Sequence, residues 1–297
     1  MSSSEHTLLI GVDGGGTGCR AAIGTSVNGV LAQAEGGRAN VASDFALSVK
    51  NIISTVEAAA NRADIPRDEL SKATAHIGIA GVLGPKESAQ VVSALPYGLV
   101  IVTDDRPTAV TGALGGQDGY LLSVGTGTIA ASSKSGTFTY VGGWGFYVAD
   151  QASGAWLGRA ALEQVMLCHD RLADHTPLTR GLLLKYDNDP NAVAAYSMTA
   201  KPGDFAIHAP DIIAGARAAD PWGQSIMEKG ADYLMRCLTR LGFLPGETLC
   251  LTGGVGPHYA DYLPADFLAG RIKSRGSALD GAFQLAKSNL AKQPESN

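Results

Sequence analysis

The chain has 297 residues, of which 45% are hydrophobic and 17% charged, and its formal net charge is -5. This composition is typical of a folded protein with a substantial core and excludes an intrinsically disordered one. The negative charge argues against a nucleic-acid partner, because phosphate binding on that scale needs clustered lysine and arginine. No apolar run reaches the roughly 18 residues of a membrane span, so no membrane partner is expected.

The four cysteines and six histidines are scattered and lack the spacing of a metal site. Isolated thiols without a CxxC pattern are typical of reduced, buried residues. The first residues, MSSSEHT, lack the apolar segment of a signal peptide. We therefore expect a cytoplasmic protein.

The first predicted elements are two strands joined by a glycine turn. Residues 8–23, LLIGVDGGGTGCRAAI, place Asp13 at the end of an apolar run, then glycines, then a second apolar run. Glycine leaves backbone N–H groups unshielded and adopts positive φ, so such a turn can wrap an anion. A P-loop or a dinucleotide fingerprint would need a helix after the glycines, and a P-loop also needs a lysine. The pattern predicts strand, hairpin, strand, and an ordinary structural hairpin is the alternative.

Helices and strands then alternate. This order predicts a mostly parallel sheet with helical cover. A further helix, with Pro107 in its first turn, follows Asp104 and Asp105. The other predicted elements of this half are a helix over 46–63, a strand over 75–80, a helix over 85–94 and a strand over 99–103.

The pattern restarts at residues 120–130, YLLSVGTGTIA, which again predict strand, Gly/Thr turn, strand. We interpret this as a second lobe that begins after a boundary near 112–118. The later predictions are a helix over 156–172, a weaker helical region over 178–196, a helix over 221–241, a strand over 248–252 and a helix over 278–290. The helix over 221–241 lies between the N-cap Asp220 and the terminator Gly242. A capping box of Ser277 and Asp280 opens the last helix.

Three predicted strands therefore end in glycines, at 13–18, 125–128 and 253–256. Open α/β sheets bind ligands outside the carboxyl ends of their strands. The three turns predict a single nucleotide cleft between two lobes.

These motifs, taken in order, resemble the acetate and sugar kinase, heat-shock chaperone and actin superfamily. They are DGGGT (13–17), TD (103–104), GTGT (125–128), GGWG (142–145), DQASGAWLG (150–158) and LTGG (251–254). Within the superfamily the chain resembles the N-acetylglucosamine and glucosamine kinases, whose relatives include the ATPases that activate benzoyl-CoA reductase.

The resemblance implies an α/β fold with two ribonuclease-H-like lobes around a cleft for ATP and Mg²⁺. The lobes would span 1–115 and 116–277, and the helix over 278–290 would cross back to the first lobe. Asp13 would hold Mg²⁺ through water. The implied phosphate-binding residues are Gly15, Gly16, Thr17, Gly125, Thr126, Gly127, Gly253 and Gly254.

The resemblance also makes Asp104 the general base that accepts the proton of the attacking hydroxyl. Asp105 is the rival base, and we expect it to be the N-cap of the following helix. Small residues often follow the base in the family, whereas Arg106 and Pro107 stand here.

The sugar-binding residues implied by the resemblance are Asn40, Gly81, Gly143, Trp144 and Asp150. Asn and Asp supply forked acceptors and donors for adjacent hydroxyls. We interpret Trp144 mainly as a packing residue that shapes its loop. Asp150 could instead cap the helix after it.

The expected activity is transfer of the γ-phosphate of ATP to the 6-hydroxyl of an amino sugar. Gln151, where N-acetylglucosamine kinases commonly carry glutamate, favours glucosamine, with N-acetylglucosamine as the alternative. Two alternative hypotheses assign other functions to the chain. One is an ATPase that activates a reductase or dehydratase through an iron–sulfur cluster, and the other is a non-catalytic amino-sugar sensor. A homodimer is a further expectation from the superfamily.

Overall fold

The computed structural model describes residues 7–291, which contain two five-stranded sheets with helices packed against them. The strands are β1 (Leu8–Gly14), β2 (Cys19–Thr25), β3 (Gly29–Gly36), β4 (Thr74–Ile79), β5 (Leu99–Thr103), β6 (Gly119–Val124), β7 (Thr128–Lys134), β8 (Thr137–Gly142), β9 (Leu249–Thr252) and β10 (Arg271–Ile272). The helices are α1 (Phe45–Arg62), α2 (Pro85–Ala94), α3 (Asp105–Leu114), α4 (Gly154–His169), α5 (Pro177–Leu184), α6 (Pro190–Thr199), α7 (Pro202–Ala206), α8 (Ala209–Arg217), α9 (Pro221–Leu241) and α10 (Ala278–Ala291), with short 3₁₀ helices at Arg67–Lys72 and Gly256–Asp261.

The first sheet has the order β3-β2-β1-β4-β5, with β1–β2 and β2–β3 antiparallel and β1–β4 and β4–β5 parallel. Every residue of β4 is buried, and Ile52 and Val56 of α1 belong to the same core. Because Gly14 is paired with Ile79, and Gly78 with Thr103, the three parallel strands end at one edge of the sheet.

The second sheet has the order β10-β9-β6-β7-β8, the same arrangement with β6 in the place of β1. The β6–β7 and β7–β8 pairs are antiparallel, and β6–β9 and β9–β10 are parallel. Its core joins the sheet to α4 and α9 through buried side chains such as Leu122, Leu157 and Leu234. The prediction that the second half repeats the plan of the first is confirmed, and so is the α/β fold class.

The chain divides into two compact units, which we call the first unit and the second unit. The second unit is Asp118–Lys273, and the first unit is the chain before and after it. Helix α10 packs in the first unit against α3 and β1. A Cβ on Gly11 of β1 would lie 2.4 Å from the backbone nitrogen of Phe283, so α10 approaches the strand closely enough to require glycine. Among residues 7–291, the helices include none with the length and apolar character needed to cross a membrane.

Several predicted helix ends are confirmed. Asp220 caps α9 by accepting the N–H groups of Trp222 and Gly223, and Gly242 ends that helix with φ 79°. The capping box of α10 also forms, because the Ser277 N–H donates to Asp280 Oδ2 at 2.7 Å and the Asp280 N–H donates back to Ser277 Oγ at 3.3 Å.

The sequence analysis missed three strands, two short α-helices and both 3₁₀ helices. Most residues of strands β3 and β8 are exposed or partly buried, so the apolar run that marks a buried strand is absent there. β10 has only two residues. Helices α7 and α8 lie after the region that was predicted as weakly helical, and α7 has five residues.

Candidate active site

Asp104 follows β5 directly and is the N-cap of α3. Its Oδ1 accepts the backbone N–H of Arg106 at 2.9 Å. The Arg106 guanidinium binds the same carboxylate through two hydrogen bonds. Its Nε donates to Oδ1 at 2.7 Å, and its Nη2 donates to Oδ2 at 2.8 Å. The expectation that Asp105 caps this helix is wrong, since Asp105 is already helical and Asp104 has the extended backbone of a cap.

Charge and burial separate the two neighbouring carboxyls. Desolvation opposes ionisation of Asp104, but the hydrogen bonds from Arg106 outweigh it and hold the pKa of Asp104 below its ordinary value. Desolvation raises the pKa of Asp105, and the negative charges of Asp104 and Asp13 raise it further. Asp104 is therefore an ionised, oriented carboxylate at neutral pH, and its side chain is 25% exposed. One lone pair of Oδ2 stays available for a substrate hydroxyl.

Asp13 is the penultimate residue of β1 and forms an ion pair with Arg20 on the neighbouring strand. Its side chain is 16% exposed, which leaves part of the carboxylate accessible. Mg²⁺ is usually held by one or two carboxylates together with substrate phosphates rather than by a complete protein cage. A single accessible carboxylate at a strand end fits that kind of site.

The turn after β1 closes on itself. The Gly15 N–H donates to the Gly18 carbonyl at 2.8 Å, so this predicted phosphate donor is already engaged. Gly16 and Thr17 are exposed, and within residues 7–291 their N–H groups have no backbone acceptor. The anion-binding capacity of this turn therefore lies in Gly16 and Thr17.

The corresponding turn of the second unit has the same design. The Gly125 N–H donates to the Gly127 carbonyl at 2.9 Å. Thr126 is exposed, and its N–H has no backbone acceptor within residues 7–291. The third glycine turn lies against this one, because a Cβ on Gly253 would be 2.3 Å from the carbonyl oxygen of Val124. The structure thus brings together all the predicted phosphate-binding residues of the second unit, at the shared edge of β6 and β9.

A groove of about 870 Å³ opens beside these turns. One wall is formed by small and apolar residues of α7 and α8, including Ala209 and Ile213, and Gly254 lines the opposite side. Arg217 and His258 stand at the groove, where Arg217 Nη2 lies 3.1 Å from His258 Nδ1. The sequence analysis missed all of these residues except Gly254, since no local pattern shows that α8 packs beside a glycine turn.

The groove and its turns fit a nucleoside triphosphate. An apolar space suits a purine base, and the N–H groups of a glycine turn suit phosphate oxygens. A Cβ added to Gly254 would meet nothing within 4 Å, so the backbone there is open to a ligand.

Two of the predicted sugar-binding residues lie together in the first unit. Asn40 Oδ1 accepts the N–H groups of Ala42 and Ser43 at 3.1 and 3.2 Å. A Cβ on Gly81, which has φ 87°, would lie 2.5 Å from the same oxygen. Among residues 7–291 the side-chain NH₂ of Asn40 has no protein acceptor, so this group can donate to a sugar hydroxyl.

The other predicted sugar-binding residues belong to the second unit. The Gly143 N–H donates to the Thr128 carbonyl at 3.0 Å, which anchors the GGWG turn to β7. Trp144 is 79% exposed, so its interpretation as a packing residue is wrong.

Asp150 lies beneath the Gly125–Thr128 turn, with its Oδ2 2.9 Å from the place where a Cβ of Gly127 would be. The residue is 6% exposed. Desolvation raises the pKa of Asp150 despite hydrogen bonds from the backbone of Gly145 and Thr128, and its Oδ1 has no hydrogen-bond partner within the described chain. It does not cap the next helix, since Ser153 does so by accepting the Trp156 N–H.

Comparison with known proteins gives the family. Residues 10–263 match the BadF/BadG/BcrA/BcrD ATPase family. The chain belongs to this family. Its membership implies the use of ATP.

Two relatives of the chain are described as sugar kinases. The chain is 28% identical over 279 residues to the glucosamine kinase GspK of Vibrio cholerae, covering 93% of this chain and 95% of that protein. It is 27% identical over 181 residues to the N-acetylmuramic acid/N-acetylglucosamine kinase of Clostridium acetobutylicum, covering 59% of this chain and 58% of that protein.

Solved structures agree with the fold. A protein from Chromobacterium violaceum described as a candidate N-acetylglucosamine kinase superposes with a TM-score of 0.80 at 32% identity, covering 95% of this chain and 99% of the other. A ROK family glucokinase from Streptomyces griseus, solved with glucose and AMPPNP, gives a TM-score of 0.55 at 19% identity over 95% of this chain and 99% of the other. The second likeness shows the fold alone. The resemblance to the sugar kinase and actin superfamily is confirmed.

Proposed function

We propose that the protein is an ATP-dependent amino-sugar kinase that transfers the γ-phosphate of ATP to the 6-hydroxyl of glucosamine. The observation that carries the proposal is the state of Asp104, an ionised and oriented carboxylate at the end of β5. Membership of an ATPase family and the similarity to a glucosamine kinase over 93% of the chain support the same activity.

In the proposed reaction Asp104 accepts the proton of the attacking hydroxyl. The hydroxyl oxygen forms a bond to the γ-phosphorus as the bond to the bridging oxygen breaks, and ADP leaves. Such a transfer needs little from the protein beyond positioning and charge stabilisation. Asn40 and Gly81 would orient the sugar in the first unit, with Gly143, Trp144 and Asp150 as further predicted sugar-binding residues.

The groove of the second unit would hold the adenine ring, and the N–H groups of Thr126, Gly127 and Gly254 would bind phosphate oxygens. Gly16 and Thr17 would do so on the first unit. Asp13 is the residue that would hold Mg²⁺ through water. The ion would supply positive charge against the negative charge that develops on the phosphate oxygens. That the turns of both units serve one nucleotide stays a prediction.

The choice of glucosamine over N-acetylglucosamine rests on charge. A free ammonium needs acidic neighbours, whereas an acetamido group needs an apolar slot. The strand ends of the first unit present the carboxylates of Asp13, Asp104 and Asp105, whose mutual repulsion contributes to the raised pKa of Asp105. A cationic sugar would relieve that repulsion.

A phosphorylation assay with ATP and glucosamine, N-acetylglucosamine or glucose tests the proposal. We expect the highest kcat/KM with glucosamine and a 6-phosphate product, identified by ³¹P NMR. A preference for N-acetylglucosamine would refute the choice of sugar but retain the kinase. No turnover of any of the three sugars, with steady ATP hydrolysis, would refute the kinase itself.

The iron–sulfur ATPase alternative is disfavoured by the cysteines. All four are free thiols with buried side chains, at Cys19, Cys168, Cys237 and Cys250. Cluster ligands bind iron as thiolates, and burial raises the pKa of the Cys19 thiol to about 11. The predicted homodimer stays a prediction.

A further inference from the structure

His76 is a buried titratable residue that the proposed reaction does not use. It lies in the middle of β4, whose other residues are apolar or small, and it is 2% exposed. Desolvation lowers the pKa of His76 to about 4, so the ring is neutral at neutral pH. A neutral imidazole has one N–H donor and one acceptor nitrogen, and both need partners when buried.

Both ring nitrogens of His76 have partners. Nε2 lies 3.2 Å from the hydroxyl oxygen of Thr103, the last residue of β5. Nδ1 lies 3.2 Å from the side-chain nitrogen of Asn289 on α10. The Thr103 hydroxyl, in turn, donates to the backbone carbonyl of Asp104 at 2.8 Å.

The direction of these hydrogen bonds follows from the last contact. A carbonyl oxygen can only accept, so the single hydroxyl proton of Thr103 points to Asp104. The Thr103 oxygen must then accept from His76, which places the ring proton on Nε2. Nδ1 is left as an acceptor, and the NH₂ group of Asn289 donates to it. One tautomer of His76 satisfies the whole chain of contacts.

We infer that Asn289, His76 and Thr103 form a hydrogen-bonded relay that fixes the backbone of Asp104 and thereby aims its carboxylate. They are positioning residues for the general base, and this inference rests on the proposed function. Arg106 binds the carboxylate directly, whereas the relay fixes the peptide group that contains the Asp104 carbonyl. Two constraints on one residue are useful because a base misplaced by about 1 Å can lose roughly 10² in rate.

A role in stability alone explains Asn289, His76 and Thr103 less well than a role in positioning Asp104. An apolar side chain at position 76 would suit a fully buried strand without any need for partners, and replacing a buried polar set by apolar groups can be nearly neutral for stability. Here three polar side chains from β4, β5 and α10 converge, and the chain of hydrogen bonds ends on the backbone of the proposed base.

The test compares Thr103→Val, which keeps the shape of the side chain and removes the hydroxyl, with Thr103→Ser, which keeps the hydroxyl. For Thr103→Val we expect kcat with glucosamine to fall about tenfold while both KM values change less than about twofold. Thr103→Ser should recover most of kcat. The control is Thr74→Val, at a buried threonine of β4 in the first unit that lies outside the relay. It should leave kcat unchanged.

Asn289→Leu extends the test along the relay. It should lower kcat in the same direction but less, because the Thr103–Asp104 bond remains. The double variant with Thr103→Val should be no slower than Thr103→Val alone, since the relay is already interrupted at its last step. Melting temperatures of all variants separate positioning from lost stability.

Each outcome decides between the ideas. Unchanged kcat in Thr103→Val, equal losses in Thr103→Val and Thr74→Val, or additive losses in the double variant would overturn the relay while the kinase stands. A wild-type protein that phosphorylates none of the three sugars would overturn the proposed function, and the role of the relay with it.

Discussion

The two sheets of this protein have the same strand order but present different chemistry at the carboxyl ends of their strands. In the first unit β1 carries Asp13 at its penultimate position and β5 leads into Asp104, so both strand ends present carboxylates. In the second unit β6 and β9 lead into Gly125 and Gly253, which offer only backbone groups. Strand order therefore decides where a site forms, and the residue that follows each strand decides what the site can do.

The electrostatic consequence follows directly. Carboxylates placed side by side repel each other, which contributes to the raised pKa of Asp105, whereas the glycine turns expose partly positive N–H groups. The carboxylates of the first unit therefore suit a cation or a proton, and the glycine turns suit phosphate. Substitutions at each edge should separate these two roles.

The largest effect is expected at the acidic edge. Asp104→Asn keeps the shape and the cap of α3 but removes the proton acceptor, so kcat should fall by roughly 10² to 10⁴ while binding of ATP and sugar persists. Asp105→Asn is the matched control and should retain most of the activity. Steady-state kinetics with calorimetric binding checks both variants, and a larger loss in Asp105→Asn would exchange the roles of the two residues.

An intermediate effect is expected at the neutral edge. Gly254→Val places a side chain where the backbone now leaves open space, so it should obstruct the groove without straining the fold. We expect KM for ATP to rise roughly tenfold, equal to about 1.4 kcal/mol of lost binding, with KM for the sugar nearly unchanged. Gly181→Val, at an open position on α5, is the control. An equal rise in both variants would count against the groove as the nucleotide site.

The smallest effect concerns pH. The Asp104 carboxylate must be ionised to act as a base, and Arg106 holds its pKa below the ordinary value. In Arg106→Leu that pKa rises, so the acid limb of the kcat/KM profile should move to higher pH, while activity well above that limb changes less. Arg106→Lys keeps the charge but loses the paired hydrogen bonds, and should lie between the two. Identical acid limbs in all three proteins would disconnect Arg106 from the base.

Prediction from the sequence succeeded where a pattern is local. α2 begins at Pro85 and β5 spans Leu99–Thr103, as predicted, because a proline at the first helical position and a short run of β-branched residues are strong signals. The capping boundary after β5 was assigned one residue late. Asp104 and Asp105 are equally good caps by residue type, and only the backbone conformation distinguishes them.

The rest depends on contacts between distant residues. The groove forms because α8 packs beside the Gly125–Thr128 turn, and nothing in the segment around Ala209 shows which turn it will meet. The sequence predicts His76 only as part of a buried strand, because its partner Asn289 lies 213 residues further along the chain. Long-range pairing of this kind leaves no periodicity in the sequence.

The close fit between Gly11 and Phe283 has a consequence for biosynthesis. Leu9 and Ala22 of the first sheet are covered by Leu279, Phe283 and Ala286 of α10, which follow the second unit in the chain. During synthesis one apolar face of β1 and β2 therefore stays uncovered while the more than 150 intervening residues of the second unit are made. Transiently uncovered apolar surfaces of this kind promote aggregation and bind chaperones. We therefore expect the folding of the first unit to depend more on chaperones than that of the second unit.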